Sequence, residues 1–460
     1  MSISPSLSSG SPPSPAGANP TNRRLFTVLL AAFLGWMFDG LEMGLFPLIA
    51  RPALQQMQAS QGLVVTDAFV GLWMGYVTAA FLLGAALGGV LFGWLGDKVG
   101  RIRAMALSIL CYSLFTGLVY FAQEPWHLLV TRFVAALGMG GEWSLGVALV
   151  MEVWPEKHRP LMAGVIGAAA NVGYVLIAVV GMSFSVTTES WRWVALVGAA
   201  PAMLTMLIRL FVPESERWQE AKKTSSGHPL REVVRPPLLR STLMATLFAS
   251  IALIGTWGSV QWLPLWADQM AQTESVTAAR TELATPAGNT VSEAEVMARA
   301  GQLRNNNAKA HTLALISGGA VLGCLIGAWM GGRFGRRPAY FILCLVSLVS
   351  CGWLFRGFDA YNAGFLALAT LVGAVTAAFY GWLPLYLPEL FPTRVRATGQ
   401  GLSFNAGRIL AAVGALQMGS LMQHFNGSYA KAGALITLIY IVGMVVIWMA
   451  PETKGKPLPA

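Results

Sequence analysis

The chain has 460 residues, and only 11% of them are Asp, Glu, Lys or Arg, less than half the share that keeps a soluble domain in water. Hydrophobic residues make up 55%, and apolar runs recur that are long enough to cross a hydrocarbon core of about 30 Å as helices. A soluble globular domain is excluded, and the net charge of +10 is read as membrane topology rather than a nucleic-acid footprint.

In chain order, residues 1–22 are rich in Ser, Pro and Gly and lack the basic start and apolar core of a signal peptide, so a disordered cytoplasmic tail is expected. Twelve spans follow, near 25–49, 69–95, 104–122, 127–150, 161–185 and 192–212, then 241–267, 311–331, 338–355, 362–387, 399–422 and 431–450. The fold expected is an all-α polytopic membrane protein, with a six-helix bundle over 23–212 and a second over 241–450. A basic linker over 213–240 joins them, carrying Arg217, Lys222, Lys223, Arg231, Arg235 and Arg240. Residues 268–310 contain no apolar run and form an external insertion, with a short helix expected around Ser292–Leu303. Residues 451–460 form a second cytoplasmic tail. With both termini inside, the short external loops carry only Arg51, Arg192, Arg356 and Lys431, as the positive-inside rule requires. Cys111, Cys324, Cys344 and Cys351 lie in apolar segments without metal-ligand spacing and read as small buried hydrophobes.

The halves repeat. GWLGDKVGR at 93–101 matches AWMGGRFGR at 328–336, EVWPEKHRPLMAG at 152–164 matches ELFPTRVRATGQG at 389–401, and Pro213-Glu214-Ser215 matches Pro451-Glu452-Thr453. Three landmarks in one order imply a duplicated six-helix unit. Two such copies enter from the same side and relate by an axis along the membrane normal, the geometry of halves that rock about a central site.

These motifs resemble the major facilitator superfamily over about residues 25–458. Within it, Arg132 followed by GMGGEW, PESERW at 213–218, PELFPTRVRATG at 388–399 and PETKG at 451–455 resemble the sugar and metabolite porters. The resemblance implies a transporter working by alternating access, without cofactor. No nucleophile–base pair, metal cluster or phosphate loop suggests an enzyme. It also implies a gating clasp that includes Arg101: Gly93 and Gly100 bring helices close, Asp97 meets nearby arginines or a helix N-terminus, and Glu152 with Arg159 and Glu389 with Arg396 are the expected partners. The second copy has Gly332 in the place of Asp97, so its clasp should be weaker.

Five charges fall deep in the spans: Asp39, Glu42, Arg132, Glu142 and Arg408. Each costs about 2.5–3.5 kcal/mol at a helix centre and must face protein or a wet cavity. Asp39 and Glu42 share one face of the first span. Two carboxylates in one low-dielectric pocket repel and favour binding a proton, and Arg132 is within reach as a counter-ion. The DGLE stretch resembles the first-helix motif of aromatic-acid and sialic-acid proton symporters, with Glu42 where a second Asp is usual. Proton coupling is therefore expected at Asp39, Glu42, Arg132 and Glu142, against the alternative of a static neutral pair.

Arg408, in NAGRILAAVG, has no acid in its own span, and its guanidinium suits bidentate capture of a carboxylate. A structural bridge to Glu142 is the alternative. Trp36, Trp257, Trp262, Trp266, Tyr380 and Trp382 are candidate stacking surfaces, and Asn171, Gln261 and Gln417 candidate orienting amides. The core is short of the neutral hydrogen-bonding groups that sugars need, with Asn171 where sugar porters place a glutamine. The expected activity is proton symport of a small organic anion (aromatic, nicotinate-like or sialic-type) by a monomer in the plasma (inner) membrane. A sugar transporter, a proton-driven exporter and a non-transporting receptor of the same fold are the alternatives.

Overall fold

The computed structural model describes residues 22–62, 67–184, 186–200, 212, 214–224, 228–283, 292–305, 307–426 and 428–459, without the side chains of 47, 67, 68, 71, 414–420, 422 and 423. The proposed N-terminal tail and most of the sixth predicted span lie outside them. Every regular element among the described residues is helical. The first set comprises α1 (Asn22–Ser60), α2 (Asp67–Val99), α3 (Arg101–Leu118), α4 (Pro125–Val153), α5 (Arg159–Ser183) and α6 (Trp191–Val197). Two short helices follow, α7 (Glu216–Thr224) and α8 (Pro229–Val233). The second set is α9 (Leu239–Gly258), α10 (Leu263–Leu283), α11 (Glu293–Leu303), α12 (Ala308–Phe334), α13 (Arg336–Gly357), α14 (Ala363–Ala377), α15 (Phe379–Tyr386), α16 (Arg396–His424), α17 (Tyr429–Ile436) and α18 (Ile439–Val446). Ten helical stretches of the described residues are long and apolar enough to cross a membrane.

The helices are apolar on both sides, as lipid requires. Leu83, Leu87 and Leu91 are exposed on α2, as are Val349 and Trp353 on α13, each set spaced one turn apart to form a bilayer-facing stripe. Within the first set α2 packs on α3 and α4, and α1 on α5; within the second α9 packs on α16, and α12 on α14. The sets meet where α5 lies against α12 and α15, and where α2 and α4 lie against α16. A cavity sits between these seams.

The repeat is visible in the backbone. Gly100 and Gly335, at matching places before α3 and α13, have φ of 118° and 104°, a region that L side chains avoid. Each lets the chain turn sharply and start a helix whose first amides are taken by a carboxylate. Glu214 accepts from the Arg101 and Ile102 amides at 3.0 and 3.1 Å. Glu452 accepts from those of Arg336 and Arg337 at 3.0 and 3.1 Å.

Among the described residues the predicted insertion is two helical arms, the second of them the short helix expected near Ser292. The first arm is the C-terminal end of α10; the second is α11, started by Ser292 and Glu295, which bond each other's backbone amides. Ala279, Val296 and Ala300 bury a small core between the arms. Arg304 closes the base on Asp268 at 2.8 Å, and Glu274 accepts from the Tyr361 amide at 2.6 Å.

Candidate substrate and proton site

The cavity draws its lining from both helix sets. Trp36 and Met43 come from α1, Asn171 and Tyr174 from α5, Ile316 and Ser317 from α12, and Phe404 and Arg408 from α16. Helix α9 stops at Gly258, and Ser259 leaves the helical region at φ −130° before a single turn leads into α10. This break presents Trp257 and Gln261 to the cavity, the arrangement expected where a broken helix lines a binding site. Tyr380 shares a hydrogen bond with Thr256 at 2.6 Å, which fixes its hydroxyl at the wall.

Of the expected ligand-facing residues, Arg408, Asn171, Trp257, Gln261 and Tyr380 line this cavity, and so does Trp36. Trp382 does not. It is fully buried in the second helix set against Tyr340 and Tyr386, with its indole N–H donated to the Arg336 carbonyl at 3.0 Å. Trp266 is likewise occupied by Phe355 and Phe365, and Trp262 stacks on Tyr429. The side chain of Gln417 lies outside the described residues. Tyr174, Thr256 and Phe404 were missed because neutral residues in apolar helices carry no sequence signal of what they face.

The deep charges are sorted differently from the sequence expectation. Asp39 and Glu42 do not form a carboxylate pair, because they engage different partners on the first helix set. Glu42 pairs with Arg132 and also accepts from the Thr116 hydroxyl at 3.1 Å. The Arg132 guanidinium lies 4.6 and 4.7 Å from the Phe46 and Phe81 ring centres. Asp39 instead faces Glu142 of α4, and the charge that attracts it is that of Arg408. Both carboxyls are buried, at 0% and 1% exposure, and none of their four oxygens finds a donor among the described residues. Arg408 makes no ion pair with Glu142. It donates Nη1 to Asn405 Oδ1 at 3.0 Å and lies 5.2 Å from the Phe404 ring centre.

A third group of charges closes one end of the seam. Asp97 pairs with Arg101 at 2.7 Å and accepts from the Ala397 and Thr398 amides at 3.3 and 2.7 Å, at the start of α16. A helix N-terminus favours an anion, so this bond joins the two sets by charge and dipole together. Gly93 lets the helices approach, since a Cβ there would stand 2.8 Å from the Ala397 carbonyl oxygen. Glu152 does not take Arg159. It bonds Arg101 at 2.9 Å and, across the seam, Arg396 at 3.1 Å. Glu389 pairs with Arg336 rather than Arg396, and Arg159 turns to Glu156 and the Met151 carbonyl. The expected pairs are thus exchanged, because Arg396 points across the seam and leaves Glu389 to its own half.

Comparison with known proteins fixes the family. The family described as "Sugar (and other) transporter" matches residues 27–460. The chain belongs to this family of the major facilitator superfamily. It is a multi-pass membrane transporter, not an enzyme. The transporter is 27% identical over 430 residues to the "Probable 4-methylmuconolactone transporter" of Cupriavidus pinatubonensis, covering 92% of this chain and 90% of that one. It is 26% identical over 441 residues to the sialic acid transporter NanX of Escherichia coli, covering 95% and 96%. The proton:xylose symporter XylE, solved with 6-bromo-6-deoxy-D-glucose, shares the transporter's fold at a TM-score of 0.69 and 16% identity, covering 95% of this chain and 98% of that one.

Proposed function

We propose that the transporter is a proton-coupled symporter of small organic anions, with twelve spans in two six-helix bundles over 23–212 and 241–450. Both termini and the 213–240 linker are cytoplasmic, and the molecule works as a monomer in the plasma membrane. The observation that carries this reading is Arg408, a guanidinium 7% exposed on the cavity wall that makes no ion pair among the described residues. Burying an arginine without a paired acid is costly, and a substrate carboxylate would relieve that cost each time it binds. Trp36, Trp257 and Tyr380 give the rest of the ligand flat apolar walls, and Asn171 and Gln261 can orient its polar edge. The acid named in the NanX relative supports the same ligand class.

The proton site is Asp39 with Glu142, and the Glu42–Arg132 pair fixes α1 against α4 beside it. A proton taken up by the two carboxyls lowers the negative charge acting on Arg408 and leaves the guanidinium to the anion, so the two cargoes bind together. Alternating access then opens the cytoplasmic clasp of Asp97, Arg101, Glu152 and Arg396 and releases both.

Purified transporter in proteoliposomes tests this. Radiolabelled benzoate, nicotinate and sialic acid are offered with and without an inward proton gradient, beside a neutral sugar. At least one acid should accumulate only with the gradient. Arg408→Lys should lower acid uptake about tenfold or more, and Asp39→Asn should abolish gradient-driven accumulation while sparing counterflow. Sugar uptake that falls with Arg408→Lys as much as acid uptake would overturn the anion assignment.

A further inference from the structure

Asn405 stands one helical turn before Arg408 on α16 and is 1% exposed. Its side-chain N–H group donates to the Gly401 carbonyl of its own helix at 2.8 Å and to the Gly140 carbonyl of α4 at 3.3 Å. Its oxygen accepts from Arg408 Nη1 at 3.0 Å. On the third side lies Gly89 of α2, where any Cβ would collide with this same amide. Glycines from three helices therefore enclose one polar group at the crossing of α2, α4 and α16. The preceding residue repeats the connection through rings: Phe404 lies under the Arg408 guanidinium and stacks on Trp143 of α4, centres 4.1 Å apart and planes 18° apart. Gly140 and Trp143 flank Glu142, so what holds Arg408 also holds the segment carrying half of the carboxyl pair.

An asparagine amide has one accepting and one donating end. While Arg408 occupies the accepting end, the donating end must face Gly140, and α16 is tied to α4. A carboxylate on Arg408 is a stronger acceptor than a neutral amide, because charge-assisted hydrogen bonds are roughly twice as strong. Once it takes Nη1, the Asn405 oxygen loses the charged donor that polarises the amide, and the bonds made by its N–H group weaken. The longer of the two, to Gly140 at 3.3 Å across the seam, is the nearer to breaking, and the tie between the halves loosens.

We propose that Asn405 is a positioning residue that locks the two halves while Arg408 is empty and releases them when an anion takes the guanidinium. This rests on the reading of Arg408 as the anion site. It makes rocking, and with it proton movement past Asp39 and Glu142, conditional on substrate.

The test is the distance between spin labels on cysteines introduced at Arg103 and Arg333, exposed positions in the two halves, measured by pulsed electron resonance on full-length protein in nanodiscs. Without substrate, the wild type should show one dominant distance. Asn405→Ala should raise the minor population about five- to tenfold, the effect of losing one net hydrogen bond. Gly89→Ala, which presses on the amide from the other half and leaves Arg408 untouched, should shift it the same way if Asn405→Ala folds poorly. In proteoliposomes carrying a pH dye, both variants should admit protons without substrate where the wild type does not. Distances and proton influx in both variants equal to wild type would overturn the lock, even if benzoate or nicotinate shifts the wild type. A shift in the variants alone, with benzoate, nicotinate and sialic acid all inert on the wild type, would uphold the lock and remove the anion reading of Arg408.

Discussion

At the corner between α2 and α3, Asp97 reaches across the seam to the first amides of α16, and Arg101 adds a bond to the Thr393 carbonyl at 2.8 Å. At the matching corner between α12 and α13, Gly332 offers only a surface for Pro160, and the neighbouring Arg336–Glu389 pair stays within its own half. The same backbone turn and the same capping carboxylate serve both. The difference lies in which side chains cross, and it shows that duplication supplied the frame while one copy alone kept the ionic bolt. The caps have diverged too. Burial holds the Glu214 carboxyl above the usual glutamate value of 4.5 despite its bonds to backbone amides and the nearby Arg101. At Glu452 burial also pushes upward, but the Arg336, Lys454 and Arg337 amides outweigh it and hold the carboxyl below that value.

The largest expected effect of breaking this asymmetry is at Asp97. Asp97→Asn should cut proton-driven uptake at least tenfold, because the first amides of α16 lose their anion. Uptake within twofold of the wild type would mean that this corner carries no ionic bolt. Next comes the pair of glutamates. Glu152→Gln leaves Arg396, 0% exposed, without its acid while Arg101 keeps Asp97, and should destabilise the closed arrangement by about 3–5 kcal/mol. Glu389→Gln disturbs one arginine that keeps the Gly331 carbonyl at 3.0 Å, and should cost about 1–3 kcal/mol by thermal unfolding.

The smallest effect is in the pH dependence of the caps. A glutamate whose carboxyl is held low in the fold contributes stability above 4.5 that is lost as pH falls through its folded value; one held high contributes below 4.5 and loses that as pH rises. The melting temperature of Glu452→Gln relative to wild type should therefore fall further behind as pH rises from 4 toward 7. That of Glu214→Gln should gain over the same interval, and slopes of one sign would contradict the comparison.

Much of the frame was legible because its signals are local. Apolar length marks spans, glycine marks the turns at 100 and 335, and Ser292 with Glu295 marks a helix start. The cavity was legible in part, since a buried charge such as Arg408 is anomalous wherever it occurs in an apolar helix. Pairing was not legible. Asp39 and Glu42 lie three residues apart, yet the rotation of α1 against α4 sends one to Glu142 and the other to Arg132. Arg396 crosses to Glu152, a choice set by how the repeats dock and not by the repeat itself. Asn405 carried no signal at all, because its weight comes from three glycines far apart in the chain.

The hairpin of α10 and α11 has a practical consequence. Its base is closed by Arg304 on Asp268 and its arm is fastened to Tyr361 of the second helix set. It is a handle on one half of a 49.1 kDa molecule whose halves otherwise look alike in projection. Particle images should be easier to align by it, and an antibody fragment raised against it would report the motion of one half relative to the other.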